Sequence, residues 1–122
     1  MRDRSRNLRI EVANTTSPTM VVLTGEVDLS NARRLREVLL SIANSGEHRI
    51  IIDLGNVTFM DSTGLSALVG ARKRFQSLER GEIILRSPAP TVLKVLEMTG
   101  LMRVFTVEQS AQGAVRRATE TE

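Results

Sequence analysis

The chain reads as an α/β fold: a mixed four- to five-stranded sheet with an opening hairpin, parallel β-α-β units and about four helices. Three observations predict it. Strand-like and helix-like segments alternate after the first two strands. The run Ile50-Ile51-Ile52 needs cover on both faces, which marks a central parallel strand. The length, 122 residues, suits one ordinary domain, taken as residues 8–122 behind a short basic tail at 1–7. A chain of this size buries roughly two-thirds of its unfolded surface, enough for a core without staples.

Each element has its own local reason. Leu8, Ile10 and Val12 alternate with Arg9, Glu11 and Ala13, a half-buried strand. Asn14-Thr15-Thr16-Ser17-Pro18 is a turn by composition, and Met20–Thr24 is a second strand that pairs back as a hairpin. Gly25–Asn31 leads into a helix that Ser30 or Asn31 can cap. Ala32, Leu35, Val38, Leu39 and Ile42 follow the helical period, Leu40 falls off that stripe as an edge or contact residue, and Ser45-Gly46 ends the helix. Arg49–Leu54 is the central strand, and Gly55–Ser62 reads as a loop. A second helix runs from about Ser62 to Leu78. Leu65, Leu68, Val69, Phe75 and Leu78 form its apolar stripe, and Arg72, Lys73 and Arg74 read as an ordinary solvated face.

Gly81 breaks the chain before a strand at Glu82–Arg86. Ser87-Pro88-Ala89-Pro90 opens a third helix, with proline where its missing N–H costs least, and Gly100 stops it. Val104, Phe105 and Val107 suggest a short edge strand, and Ser110 to about Thr119 a last, weak helix carrying Arg116 and Arg117.

Composition narrows the function. There is no cysteine and one histidine, His48, so disulfides, thiolate metal sites, cysteine nucleophiles and histidine metal clusters are all excluded. No cofactor or metal is expected. The net charge of +3 is modest, and three aromatics (Phe59, Phe75, Phe105) hardly suffice to stack bases, so direct nucleic-acid binding is not expected. The basic tail, with Arg2, Arg4 and Arg6, is open to two readings, a frayed solvated terminus or a phosphate-seeking arm. The aliphatic stretches Met20–Leu23 and Ile50–Ile52 are far too short to span a bilayer, and Met-Arg-Asp-Arg-Ser-Arg lacks the apolar stretch of a signal peptide. A cytoplasmic protein without membrane insertion is therefore expected.

Sites on such sheets gather beyond the carboxyl ends of the parallel strands. If the strands before Gly25–Asn31 and Gly55–Ser62 are parallel neighbours, Asp28 and Ser30 come near Asp61 and Ser62. Ser62 is the most informative residue. It enters a helix, with Thr63 and Gly64 following. Its hydroxyl suits two roles, a helix cap or the acceptor of a phosphate favoured by the N–H groups and dipole there. Gly64 is read as keeping the approach open for a visiting active site. Asp53 is read as accepting hydrogen bonds from loop backbone, Asn56 as fixing a turn, Phe59 as core, and Met60 as a soft apolar contact for a partner. A catalytic serine needs a base and a small-residue elbow. His48 belongs at the other edge of the sheet and no Gly-x-Ser-x-Gly surrounds Ser62, so hydrolase activity is rejected. A glycine-rich phosphate cradle is absent too.

Asp53-Leu54-Gly55-Asn56-Val57-Thr58-Phe59-Met60-Asp61-Ser62-Thr63-Gly64-Leu65 resembles the STAS family, specifically bacterial anti-sigma factor antagonists. Gly25-Glu26-Val27-Asp28 is similar to the family's second strand and following loop. Met98-Thr99-Gly100-Leu101 with Val104-Phe105 is similar to its segment after the third helix. The resemblance spans roughly residues 8–110.

It implies a STAS fold and a non-enzymatic regulator. In the unphosphorylated form such a protein binds an anti-sigma factor, a serine kinase of the histidine-kinase-like ATPase fold, and so releases a sigma factor. Phosphorylation of the motif serine ends binding, and a serine phosphatase restores it. Carried over by position, the acceptor is Ser62, framed by Asp61, Thr63 and Gly64, with Asp28 in the docking loop. The partner-binding set is thus Asp28, Ser30, Asn56, Met60, Asp61, Ser62, Thr63 and Gly64. Other STAS proteins serve ABC-type lipid transport complexes or act as stress-signalling scaffolds, which stand as the alternative.

Overall fold

A computed structural model describes residues 7–14 and 17–109. It contains β1 (Leu8–Ala13), β2 (Thr19–Val27), α1 (Ala32–Asn44), β3 (Arg49–Met60), α2 (Ser62–Gln76), β4 (Glu82–Arg86), α3 (Pro90–Met98) and β5 (Thr106–Glu108). The expected last helix and most of the basic tail lie outside the described residues.

The five strands form one sheet in chain order. β1 runs antiparallel to β2, and β2, β3, β4 and β5 are successively parallel. Chain order in space results from short connections: a hairpin first, then one crossover per strand. The alternation of β2, β3 and β4 sends Val21, Leu23, Ile50, Ile52, Ile83 and Leu85 to one face. There they join Leu35, Leu39 and Ile42 of α1, Leu65, Leu68 and Phe75 of α2, and Val92 and Leu96 of α3 in one core. Ile51 is buried as well but outside this core, in register with Met20 and Ile84. The isoleucine triplet is therefore enclosed on both faces, as a central strand requires.

The largest departure from expectation is the length of β3. Gly55–Met60 is strand, not loop, and it pairs with the equally extended end of β2. Two irregularities hide it in the sequence. Val22 and Thr24 face Asp53 and Asn56, and Gly25 and Glu26 face Val57 and Phe59, so β3 carries an extra residue twice. Each bulge resets the two-residue alternation. After Leu54 the buried side chains are Val57 and Met60, a spacing of three, which no simple strand pattern announces.

β4 ends at Arg86 opposite Asp53, so the far half of β3 has no strand on that side. The start of α3 covers it. The Ala89 N–H donates to the Leu54 carbonyl (3.2 Å), and the Thr91 hydroxyl to the Thr58 carbonyl (3.4 Å). Gly25, at φ +112° in the matching stretch of β2, adopts a conformation that a side chain would oppose, and a Cβ there would meet the Asn7 carbonyl at 1.9 Å.

Candidate functional site

The parallel pairing of β2 and β3 ends with Val27 opposite Met60. The next residues, Asp28 and Asp61, therefore leave the same edge of the sheet side by side. The Asp61 N–H donates to the Val27 carbonyl (3.2 Å), which ties the two exits together. The expected composite surface exists.

Each aspartate closes a local turn. The Asp28 carboxylate accepts from the Ser30 N–H (2.9 Å) and from the Ser30 hydroxyl. The Asp61 carboxylate accepts from the Thr63 N–H (2.9 Å), the Thr63 hydroxyl and the Gly64 N–H (3.2 Å). Asp61 is thus the N-cap of α2, and Ser62 is the first residue inside the helix. This corrects the reading of Ser62 as the capping hydroxyl. Its side chain is exposed and makes no hydrogen bond among the described residues.

The capping residues expected for α1 are corrected as well. Asn31 is 1% exposed, and its amide spans the turn below: it donates to the Glu26 carbonyl (2.9 Å) and accepts from the Asp28 N–H (3.0 Å). It holds the β2–α1 turn in place rather than capping the helix, and Ser30 is occupied by Asp28.

Burial raises the pKa of the Asp61 carboxyl, but hydrogen bonds from the Thr63 hydroxyl and from the Gly64, Thr63 and Leu29 N–H groups outweigh it and hold the pKa below its ordinary value. Asp61 is accordingly an anion at neutral pH.

Several expected roles change hands. Met60 is 5% exposed and packs in the core, so its side chain is not a surface contact; Phe59, expected in the core, is 48% exposed. The extra residue ahead of Phe59 in β3 exchanges the two faces. Leu29, passed over in the sequence, is 80% exposed at the apex of the first turn. Leu29 and Phe59 line a shallow hollow with Asp28, Ser30 and Asp61. The signal for Leu29 was its middle place in Asp-Leu-Ser, the counterpart of Ser62 in Asp-Ser-Thr.

Gly64 is buried, and a Cβ there would stand 2.7 Å from both Met60 Cγ and Val27 Cγ1. It admits the sheet beneath α2, not a visitor above it. Asn56 is exposed within β3 at its first bulge, away from the strand end, and fixes no turn. Asp53 does accept a backbone N–H, that of Gly55 (2.8 Å), though inside the strand. His48 precedes β3, so roughly 35 Å of strand separates it from Ser62. The arginines of the basic run are internally engaged: Arg72 lies over the Phe105 ring (6.0 Å), and Arg74 donates to Asn44 (3.0 Å) and Ser77 (2.9 Å).

The edge of the sheet thus presents the exposed Ser62 hydroxyl beside the fixed Asp61 carboxylate. The family comes from the sequence comparison: a STAS domain profile matches residues 9–114, and the chain belongs to the STAS domain family. Among its relatives is the anti-sigma-B factor antagonist of Bacillus subtilis, 29% identical over 110 residues, covering 90% of this chain and 99% of that one. The anti-sigma-B factor antagonist of Staphylococcus aureus is 30% identical over 106 residues, covering 87% and 97%.

The fold has solved counterparts. An anti-sigma factor antagonist from Mycobacterium paratuberculosis matches with a TM-score of 0.75 at 21% identity, over 90% of this chain and 92% of that one. The anti-sigma factor antagonist SpoIIAA in its unphosphorylated form matches at 0.68 and 22%, over 91% and 98%. At these identities the likeness concerns the fold. Among the described residues, no helix is long and apolar enough to cross a membrane.

Proposed function

We propose that this chain is a cytoplasmic anti-sigma factor antagonist controlled at Ser62. Its partner is an anti-sigma factor of the histidine-kinase-like ATPase fold. The unmodified chain docks through Asp28, Leu29, Phe59, Asp61 and Ser62, and so frees a sigma factor. The kinase moves the γ-phosphoryl of ATP to the Ser62 oxygen: an O–P bond forms, ADP leaves, and the hydroxyl proton passes to the enzyme. A serine phosphatase returns the hydroxyl by hydrolysing that O–P bond with water.

One observation carries the reading. Asp61 does the capping, so the Ser62 hydroxyl is exposed and unbonded at the helix start. Of the three hydroxyls at this edge, those of Ser30 and Thr63 are held by Asp28 and Asp61. A phosphate would add about −1.5 to −2 charges beside the ionised Asp61. Repulsion on that scale, about 1–5 kcal/mol, changes a partner's affinity roughly fivefold to several-thousandfold. The helix dipole offsets part of it in the free protein, so the charge acts on docking more than on folding.

The test uses Ser62→Ala and Ser62→Asp, immobilised in lysate of the chain's own organism. A kinase-fold protein should be retained by the alanine variant and lost from the aspartate variant. With ATP, that protein should place phosphate on Ser62 of the wild type. Equal retention by both variants, or phosphate mapped elsewhere, overturns the reading.

A further inference from the structure

Ser62 stands between two surfaces of opposite charge. On one side is the acidic hollow of Asp28 and Asp61 with its exposed Leu29 and Phe59. On the other, an open groove of about 510 Å³ runs along α2 away from Ser62. Leu65, Val69 and Leu101 supply its apolar lining, and Arg36 of α1 and Lys73 of α2 its charge. Among the described residues no carboxylate lines it. Among the described residues neither cation has an ion-pair partner. Arg36 is laid across α2, where a Cβ on Gly70 would stand 3.5 Å from its Nε.

An apolar partner alone would strip water from two unpaired cations, which is unfavourable. What covers this groove comfortably brings carboxylates together with an apolar side chain. We propose that the groove receives a segment of the docking partner in which apolar residues are flanked by carboxylates; this rests on the docking reading above. The partner then meets Asp28 and Asp61 with basic groups and Arg36 and Lys73 with acidic ones. Two patches of opposite sign fix one orientation of docking, because the reversed pose sets like charges face to face. Ser62 lines the same groove. A phosphate on it carries the same sign as the incoming carboxylates and competes with them for Arg36.

The groove can be tested without the anti-sigma factor. The ¹⁵N-labelled chain is titrated at low ionic strength with an acetylated, amidated peptide Glu-Leu-Leu-Glu-Glu, with its lysine counterpart, and with inorganic phosphate. The acidic peptide should give saturable shifts at the amides of Leu65, Ser66, Gly70 and Leu101. The lysine peptide and phosphate should not. Arg36→Glu with Lys73→Glu should weaken the acidic peptide about tenfold or more while the far-ultraviolet circular dichroism is unchanged. The proposal is overturned if the acidic peptide shifts no groove amide, if the lysine peptide or phosphate does as well, or if the folded double variant binds undiminished. Such a failure leaves the Ser62 switch standing. Conversely, equal retention of Ser62→Ala and Ser62→Asp beside an intact peptide response removes the switch and keeps the groove.

Discussion

The two turns at the carboxyl edge of the sheet, Asp28-Leu29-Ser30 and Asp61-Ser62-Thr63, are built alike. In each, the aspartate accepts the N–H of the residue two places on at 2.9 Å, and its hydroxyl as well. In each, the middle residue is exposed. They differ in how the chain continues into its helix. Asp61 also accepts the Gly64 N–H, so the second turn is already the start of α2. The first turn is held from below by the buried Asn31, and α1 begins without a side-chain cap. Exposure of the middle residue therefore belongs to the turn, while its chemistry is a free choice. One turn presents an apolar side chain and the other a hydroxyl.

Exchanging charge at the two apices gives the largest effect. Ser62→Asp, with one negative charge where a phosphate carries nearly two, should lower affinity for the anti-sigma partner by roughly threefold to a hundredfold. Leu29→Ser should weaken binding by a smaller factor and leave kinase modification of Ser62 in place. Surface plasmon resonance and phosphate mapping separate the two. If Leu29→Ser abolishes modification and Ser62→Asp leaves affinity intact, the division of labour between the turns is wrong.

The strand end beneath the turns gives the next effect. Met60→Ala should cost about 2–5 kcal/mol of unfolding free energy, because it leaves a cavity under α2. Phe59→Ala should stay within about 0.5 kcal/mol while it weakens docking. Urea unfolding and binding assays together should show the two neighbours trading roles. Gly64→Ala comes third, at about 1–3 kcal/mol, since its methyl group overlaps Met60 and Val27. No such overlap burdens the first turn, so Leu29→Ala should leave the midpoint nearly unmoved.

The smallest effect is in pH. The folded-state pKa of Asp61 lies below its ordinary value, so its contribution is present at neutral pH and is lost as pH falls through that depressed value. Urea midpoints tracked down from pH 6 should fall below about pH 4. Asp61→Asn should flatten part of that fall, together with a loss of roughly 0.3–1 kcal/mol at neutral pH, because the amide still caps but the charge at the helix N-terminus is gone. The remaining slope belongs partly to Glu47. Burial raises its pKa, but the Arg49 N–H, the Ser17 and Thr19 hydroxyls and the charge of His48 prevail and lower it. If Asp61→Asn leaves the profile unchanged, the carboxylate is not the cap it looks to be.

Much of this was legible in the residues. The alternation of elements, the enclosed isoleucine triplet and the nearness of Asp28 to Asp61 all come from local pattern and parallel pairing. The far half of β3 was not legible. Its two bulges replace an alternating signal with buried side chains at Leu54, Val57 and Met60, so strand read as loop and Phe59 exchanged places with Met60. The free state of the Ser62 hydroxyl was also hidden, because an aspartate and a serine in succession compete for the same N–H groups. Only the backbone direction at Asp61, extended at φ −96° and ψ −173°, awards them to the aspartate.

The residues by themselves determined the class of fold, the family and the motif serine, because periodicity, turn chemistry and motif order are local properties of the chain. Which side chains face outward at the site, and how their charges divide, was decided only in three dimensions. Leu29 and Phe59 line one hollow through the pairing of β2 with β3, and Arg36 and Lys73 line one groove through the packing of α1 on α2. Residues so distant in sequence share a surface only when the core that joins their elements is formed.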